Sequence, residues 1–198
     1  MAGDLGELQR IGLKLFAADG ASVRPRQLVP IFHRWIQTQA IADQLLIDVA
    51  DYSHVPDGPG VMLVAHQGNF SLDLGGGRMG LAYNRKIPAE GALADRLRHL
   101  ARTVFDACRR LEDEPGLAGE IHFRGDELQV FANDRLHAPN RAETLTAFQP
   151  ALQGLVRTLY GESDCTITPE QDPSERFSVH VQAREAVRVS DLLARLAF

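Results

Sequence analysis

Several stretches of the chain space their apolar residues three or four positions apart, which is the pattern of an amphipathic α-helix. The clearest stretch lies between Gly91 and Leu111, where the apolar residues from Leu93 onward share one face. Each such helix would bury one side and expose the other. The remaining predicted helices run from about Asp4 to Ala18, from Pro30 to Thr38, from Asn140 past a kink at Pro150, and from Ser190 to the end.

Between the helical stretches, short apolar runs and alternating residues predict β-strands. Leu45–Ala50 and Val61–His66 are apolar runs bounded by glycine and proline. Phe70–Leu74 and Met79–Tyr83 alternate between apolar and small or polar residues, and the glycines between them favour a turn. A later pair of strands around Ile167 and Val179 is predicted to form another hairpin.

The segment Gly119–Phe131 predicts a hairpin with a two-residue turn at Gly125–Asp126. That turn would pair Phe123 with Leu128, so that apolar residues share one face and polar residues the other. Together with the strands further on, this hairpin predicts a polar sheet face that meets solvent, a partner subunit or a ligand. Its predicted members are His122, Arg124, Gln129, Thr166, Thr168, Ser178, His180 and Gln182.

The order of these elements predicts an α+β fold with a single domain over residues 1–198. We expect a mainly antiparallel or mixed sheet of hairpins with the helices packed on one face. Residues 1–40 would supply N-terminal helices that pack on the sheet, and the C-terminal half would contain ββα units.

Composition narrows the functional classes. The formal charge of −5 disfavours non-specific binding to nucleic acid, which requires a cationic surface. The N-terminus has no basic start and no long apolar run, so we expect no membrane partner and a cytoplasmic location. Cys108 and Cys165 lack CxxC spacing and are interpreted as small core residues.

The segment Gly75–Gly80 matches the pattern GxGxxG, which in dinucleotide-binding folds precedes a helix. Here the following residues alternate like a strand, so a turn is the favoured interpretation. The alternative to a simple turn is an anion-binding site that uses Arg78 and is unrelated to dinucleotide-binding folds.

His66 ends a predicted buried strand and is a candidate general base. Asp73 or His33 would orient it, and Arg78 would hold an anionic group of the substrate. The alternative is a strand-end histidine that bonds only to the backbone. No HxH, HxxxH or HExxH spacing occurs, so we expect no metal site and no cofactor.

The sequence His33-Arg34-Trp35 combines a titratable group, a bidentate hydrogen-bond donor and a large aromatic ring. Two explanations fit this combination of residues. The residues could line a pocket or an interface, or they could simply belong to an amphipathic helix that packs on the core. With Asn69 and Arg78, the residues Arg34 and Trp35 make up the predicted ligand-binding set.

The segments VPIFHRWIQ (Val29–Gln37) and HVPDGPGVMLVAHQGNF (His54–Phe70) resemble conserved bacterial proteins of unknown function. The resemblance implies a bacterial cytosolic protein and no particular activity. Because the sequence has no recognised catalytic spacing and no metal cluster, we expect a non-catalytic domain that binds a small ligand or a protein partner, as a homo-oligomer such as a dimer. The alternative is an enzyme with a His66-centred acid/base pocket and an anion-binding Arg78.

Overall fold

The computed structural model describes residues 5–55 and 58–197, and its central feature is one eight-stranded antiparallel sheet. The spatial order of the strands is β2-β3-β4-β5-β1-β6-β8-β7. The strands are β1 Ile11–Ala17, β2 Leu46–Asp51, β3 Val61–Ala65, β4 Gly68–Asp73, β5 Gly80–Arg85, β6 Phe123–Ala132, β7 Cys165–Pro169 and β8 Ser178–Ala183.

Four helices pack on one face of this sheet, which confirms the predicted α+β class. They are α1 Leu28–Thr38, α2 Leu93–Glu112, α3 Ala142–Tyr160 and α4 Val189–Arg195. All four contribute to a single cluster of buried apolar side chains, which also includes Leu13 of β1 and Val130 of β6. None of the helices in the described part of the chain has the length and hydropathy that a membrane span requires.

The predicted N-terminal helix is wrong, because Ile11–Ala17 forms β1 in the middle of the sheet. Leu13 and Leu15 point to the core, and they pair with residues of β5 on one side and of β6 on the other. Pairing on both edges fixes the extended conformation here. Asp4, where the helix was expected to begin, lies outside the described residues.

The predicted hairpin turn at Gly125–Asp126 is also wrong, since β6 passes straight through these residues. Its register pairs it with β1 on one side and with β8 on the other. Gly125 is instead required by a close approach: an added Cβ would lie 1.7 Å from the carbonyl oxygen of Val187. The glycine therefore lets the β8–α4 connection pack against the strand.

The two parts of the chain repeat one topology. In the first, β1 is followed by α1, a meander of strands and α2; in the second, β6 is followed by α3, the β7–β8 hairpin and α4. In each part the first strand pairs with the last strand of the meander. Since β1 and β6 also pair with each other, the two parts meet at the centre of the sheet. One ββα unit, β7–β8–α4, remains in the C-terminal half.

The face opposite the helices, which we call the open face, carries the outward side chains of the strands. The predicted polar positions Gln129, Ser178 and His180 lie on it, since their neighbours Leu128, Val130, Val179 and Val181 are buried in the core. Lys14, Phe16, Glu127 and Phe131 also lie on this face, and all four are buried.

We expect Gly125→Ala to destabilise the protein by about 1–3 kcal/mol, because the new methyl group overlaps the Val187 backbone. Urea unfolding measures the effect. Gly154→Ala in α3 is the matched control, since nothing lies within 4 Å of its added Cβ and helix propensity favours alanine by about 1 kcal/mol. A Gly125→Ala variant as stable as the wild type would contradict the close approach.

Candidate functional site

Lys14 occupies the centre of the open face, and only 4% of its side chain is exposed. Its ammonium group donates to Asp73 Oδ1 at 3.0 Å and to the Arg78 carbonyl oxygen at 2.6 Å. Burial lowers the pKa of Lys14, and the Asp73 carboxylate partly offsets this effect. Because both acceptors flank the β4–β5 turn, the ammonium group fastens that turn to the sheet.

The β4–β5 turn is the glycine triplet that the sequence predicted as a turn. Gly76 and Gly77 have φ angles of 67° and 70°, which favour glycine. The chain then enters β5 and not a helix. Asp73 Oδ1 also accepts the backbone N–H of Gly75 at 2.6 Å, so one carboxylate holds both the turn and Lys14.

Glu127 forms a second charged cluster beside Lys14, and 3% of its side chain is exposed. Its two oxygens accept a bidentate pair of hydrogen bonds from Arg78, each at 2.5 Å. His180 Nε2 lies 2.5 Å from Glu127 Oε1, and Arg124 lies 3.3 Å from Oε2. Burial acts to raise the pKa of Glu127, but the bonds from Arg78 and His180 outweigh it and lower the pKa.

The ring of Phe16 lies between the two clusters. The Arg78 guanidinium is 4.3 Å from its centroid, Lys14 Nζ is 5.0 Å away, and His180 meets it edge-on at 5.6 Å. These contacts bury an aromatic side chain on the face opposite the helices. The ring therefore joins the two clusters into one rigid surface.

A cavity of about 530 Å³ opens above this surface, and we call it the open-face cavity. The β4–β5 turn forms one wall, and the connection between β7 and β8 forms the other. Its lining includes Lys14, Phe16, Asp73, Arg78, Gln129, Glu170, Glu175, Arg176 and Ser178.

Arg176 differs from the other cations that line the cavity. No carboxylate in the described part of the chain forms an ion pair with it. Its guanidinium lies 3.8 Å from the ring centroid of Phe131 and donates one hydrogen bond to Asn133 Oδ1 at 3.1 Å. Burial lowers the pKa of Arg176, while the charges of Asp73 and Glu175 act in the opposite direction.

Three of the predicted site residues lie on the open face. Asp73 and Arg78 bound the cavity, and both bond to Lys14. Asn69 lies further along β4, opposite Asn84 of β5. Its side-chain oxygen is buried, and no hydrogen-bond partner for it occurs within residues 5–55 and 58–197.

The other predicted site residues lie elsewhere. His66 is exposed in the β3–β4 turn, at the opposite end of β4 from Asp73, a separation of about 20 Å at the usual rise per residue. His33 and Arg34 are exposed on α1, where Arg34 pairs with Glu114 at 2.5 Å. Trp35 packs in the core against Phe32. The structure thus does not bring His33, His66 and Asp73 together, and a role for any of them stays a prediction.

The sequence reasoning missed Lys14, Glu127 and Arg176. Lys14 was assigned to a helix, although a lysine that alternates with Leu13 and Leu15 is also consistent with an outward strand position. Glu127 was placed beside a turn that does not exist. Arg176 lies in a loop, where no periodic signal could have marked it.

No protein-family model matches the chain, and a search of curated proteins also finds no match. The site is therefore interpreted from its own geometry. In the described residues, no three side chains of the His, Cys, Asp and Glu types are grouped closely enough to hold a metal ion.

We expect Glu127→Gln to lower the free energy of unfolding at neutral pH by about 1.5–3 kcal/mol, because charge-assisted bonds to Arg78 and His180 weaken. The folded-state pKa of Glu127 lies below its ordinary value of 4.5, so its stabilisation is complete above that pH and is lost as the pH falls. The difference between wild type and variant should therefore narrow below pH 4.5. Urea unfolding over a pH series measures it.

Glu162→Gln is the control, since the side chain of Glu162 is almost fully exposed and its removal should change stability by no more than about 0.5 kcal/mol at any pH. A gap between wild type and Glu127→Gln that stays constant from pH 7 to pH 3 would show that the carboxylate charge does not stabilise the fold.

Proposed function

We propose that this protein is a non-catalytic binding domain whose open-face cavity binds a small molecule with a carboxylate or phosphate group. The observation that carries the proposal is Arg176, a stacked guanidinium at the cavity wall without a carboxylate partner in the described residues. A cavity of about 530 Å³ is within the range of small-molecule sites in proteins.

The geometry of Arg176 suits an anionic group. Stacking on Phe131 fixes the plane of the guanidinium, and the single bond to Asn133 leaves further N–H groups to donate. Asn133 is itself held by a 2.6 Å hydrogen bond to Asn84. A planar, pre-oriented guanidinium binds carboxylate and phosphate oxygens through paired hydrogen bonds.

Two neutral groups beside Arg176 support the same ligand class. Gln129 Nε2 donates to Ser178 Oγ at 3.2 Å, so the Ser178 hydroxyl proton is available for a ligand oxygen. Both residues line the cavity. Lys14 lies beneath the cavity, where its ammonium group is bonded to Asp73 and to backbone carbonyls.

The charged groups favour binding over the alternative enzyme. In that alternative, Arg78 holds an anionic group of the substrate, but here its guanidinium is engaged by both oxygens of Glu127. Lys14 could act as a nucleophile only as a neutral amine, and its ammonium group is held by Asp73 and the Arg78 carbonyl. The charged groups of Arg78 and Lys14 are thus engaged within the protein, which supports a role in holding the surface in shape.

We also propose a cytoplasmic homo-oligomer, in line with the unpaired cysteines Cys108 and Cys165. Support for self-association comes from β2, an edge strand whose one pairing partner among the described residues is β3. Leu45, Ile47, Tyr52 and Val55 are exposed along this edge. Exposed apolar edge strands pair readily with another chain.

The binding proposal is tested by isothermal titration calorimetry with 3-phenylpropanoate and phenyl phosphate. We expect at least one probe to bind, and Arg176→Gln to weaken it by at least about tenfold because a charge-assisted bond is lost. Arg176→Lys should also bind weakly, because an ammonium group cannot form the planar pair of bonds.

Arg157→Gln, a change at an exposed arginine of α3, is the matched control and should leave binding unchanged. Circular dichroism confirms that each variant is folded. Binding that is equal in wild type and both Arg176 variants, or absent in folded wild type for both probes, would refute the proposal.

Self-association is tested by sedimentation velocity of Ile47→Lys. Ile47 is 53% exposed, and a charge at this position would oppose strand pairing, so we expect the oligomer to dissociate. Leu136→Lys is the control, because Leu136 is 84% exposed and lies away from β2. A wild-type protein that sediments as a monomer at all concentrations would contradict this proposal.

A further inference from the structure

Two carboxylates share the open-face cavity with Arg176. Glu175 precedes Arg176 in the chain and is exposed, and Glu170 lies on the same connection between β7 and β8. Neither carboxylate forms an ion pair with another described residue, and the Glu170 carboxylate accepts only the N–H of Asp172, at 3.0 Å. The cavity therefore offers uncompensated charges of both signs.

Two of the cations in the cavity lining are neutralised by carboxylates. Lys14 is paired with Asp73, and Arg78 is paired with Glu127. Arg176 remains on the positive side, and Glu170 and Glu175 remain on the negative side. For a ligand that carries only a negative charge, these two carboxylates would weaken the attraction to Arg176 without abolishing it.

We propose that the ligand of the open-face cavity is a zwitterion with an ammonium group close to its carboxylate, as in an α-amino acid. This inference rests on the proposed function, since Arg176 would bind the carboxylate. The ammonium group would lie against Glu175 or Glu170. Glu175 and Arg176 line the same cavity, so one small molecule with charges of both signs can meet both residues.

The remaining lining fits the uncharged part of such a ligand. Phe16 lies at the base of the cavity, and Gly76 at the turn has nothing within 4 Å of an added Cβ, which leaves room there. Burial lowers the pKa of Arg176, and the negative charges of Asp73 and Glu175 partly offset this effect. The Glu175 carboxylate and the Arg176 guanidinium line one cavity, so they can contact the two ends of one small molecule.

The experiment is isothermal titration calorimetry with three probes that share one apolar body: phenylalanine, 3-phenylpropanoate and phenethylamine. The same comparison is made with leucine, 4-methylpentanoate and 3-methylbutylamine, which share a smaller apolar group. We expect the zwitterion to bind at least about tenfold more tightly than either the matching acid or the matching amine, because each of these lacks one charge-assisted bond.

Glu175→Gln tests the source of that preference. The variant should lose most of the preference for the zwitterion and should bind the acid as well as, or better than, the wild type does. Glu175 is exposed, and its backbone N–H, which bonds to Asp172, is unchanged, so the fold should not be affected. Glu162→Gln is the matched control and should keep the full preference.

The outcomes separate this inference from the proposed function. Equal binding of acid and zwitterion by the wild type would overturn the zwitterion and leave an anion site. Binding of phenyl phosphate without binding of either zwitterion would do the same. If the amine bound most tightly, both the zwitterion inference and the proposed function would be overturned, because the cavity would then select a cation.

Discussion

The burial of a charged side chain on a central strand is the constraint on which the open face depends. β1 has neighbours on both sides, so the Lys14 ammonium group can lose its hydration only if nearby oxygens replace the water. Asp73 and the Arg78 carbonyl supply those oxygens. Because both belong to the ends of the β4–β5 turn, satisfying one buried charge also fixes the wall of a cavity.

The same requirement divides the charged residues of this face into two groups. Around Phe16, Arg78 and His180 both form hydrogen bonds with Glu127. These bonds stabilise the shape of the surface. Arg176 is oriented by stacking on Phe131 and by Asn133, without a counter-ion among the described residues. The binding site that we propose combines this rigid surface with the oriented guanidinium of Arg176.

The sequence predicted correctly those elements in which the spacing of apolar residues stays constant over several helical turns. α2 was recognised because its apolar residues follow a single helical face, but residues 4–18 fit two periods: Leu8, Ile11 and Leu15 suit a helix, and Ile11, Leu13 and Leu15 suit a strand. Only pairing with β5 and β6, which lie far away in the chain, decides between them. The glycine-rich turn drew attention to Asp73 and Arg78, whereas Lys14 and Arg176 join the site through tertiary contacts alone.

The most direct test is NMR of the arginine side chains in protein labelled with ¹⁵N, titrated with 3-phenylpropanoate and with phenylalanine. The account predicts that the Nε–H resonance of Arg176 shifts and saturates, while that of Arg78 stays in place because Glu127 already holds its guanidinium. A shift at Arg78 with release of Glu127, or shifts confined to exposed arginines such as Arg157, would contradict the account.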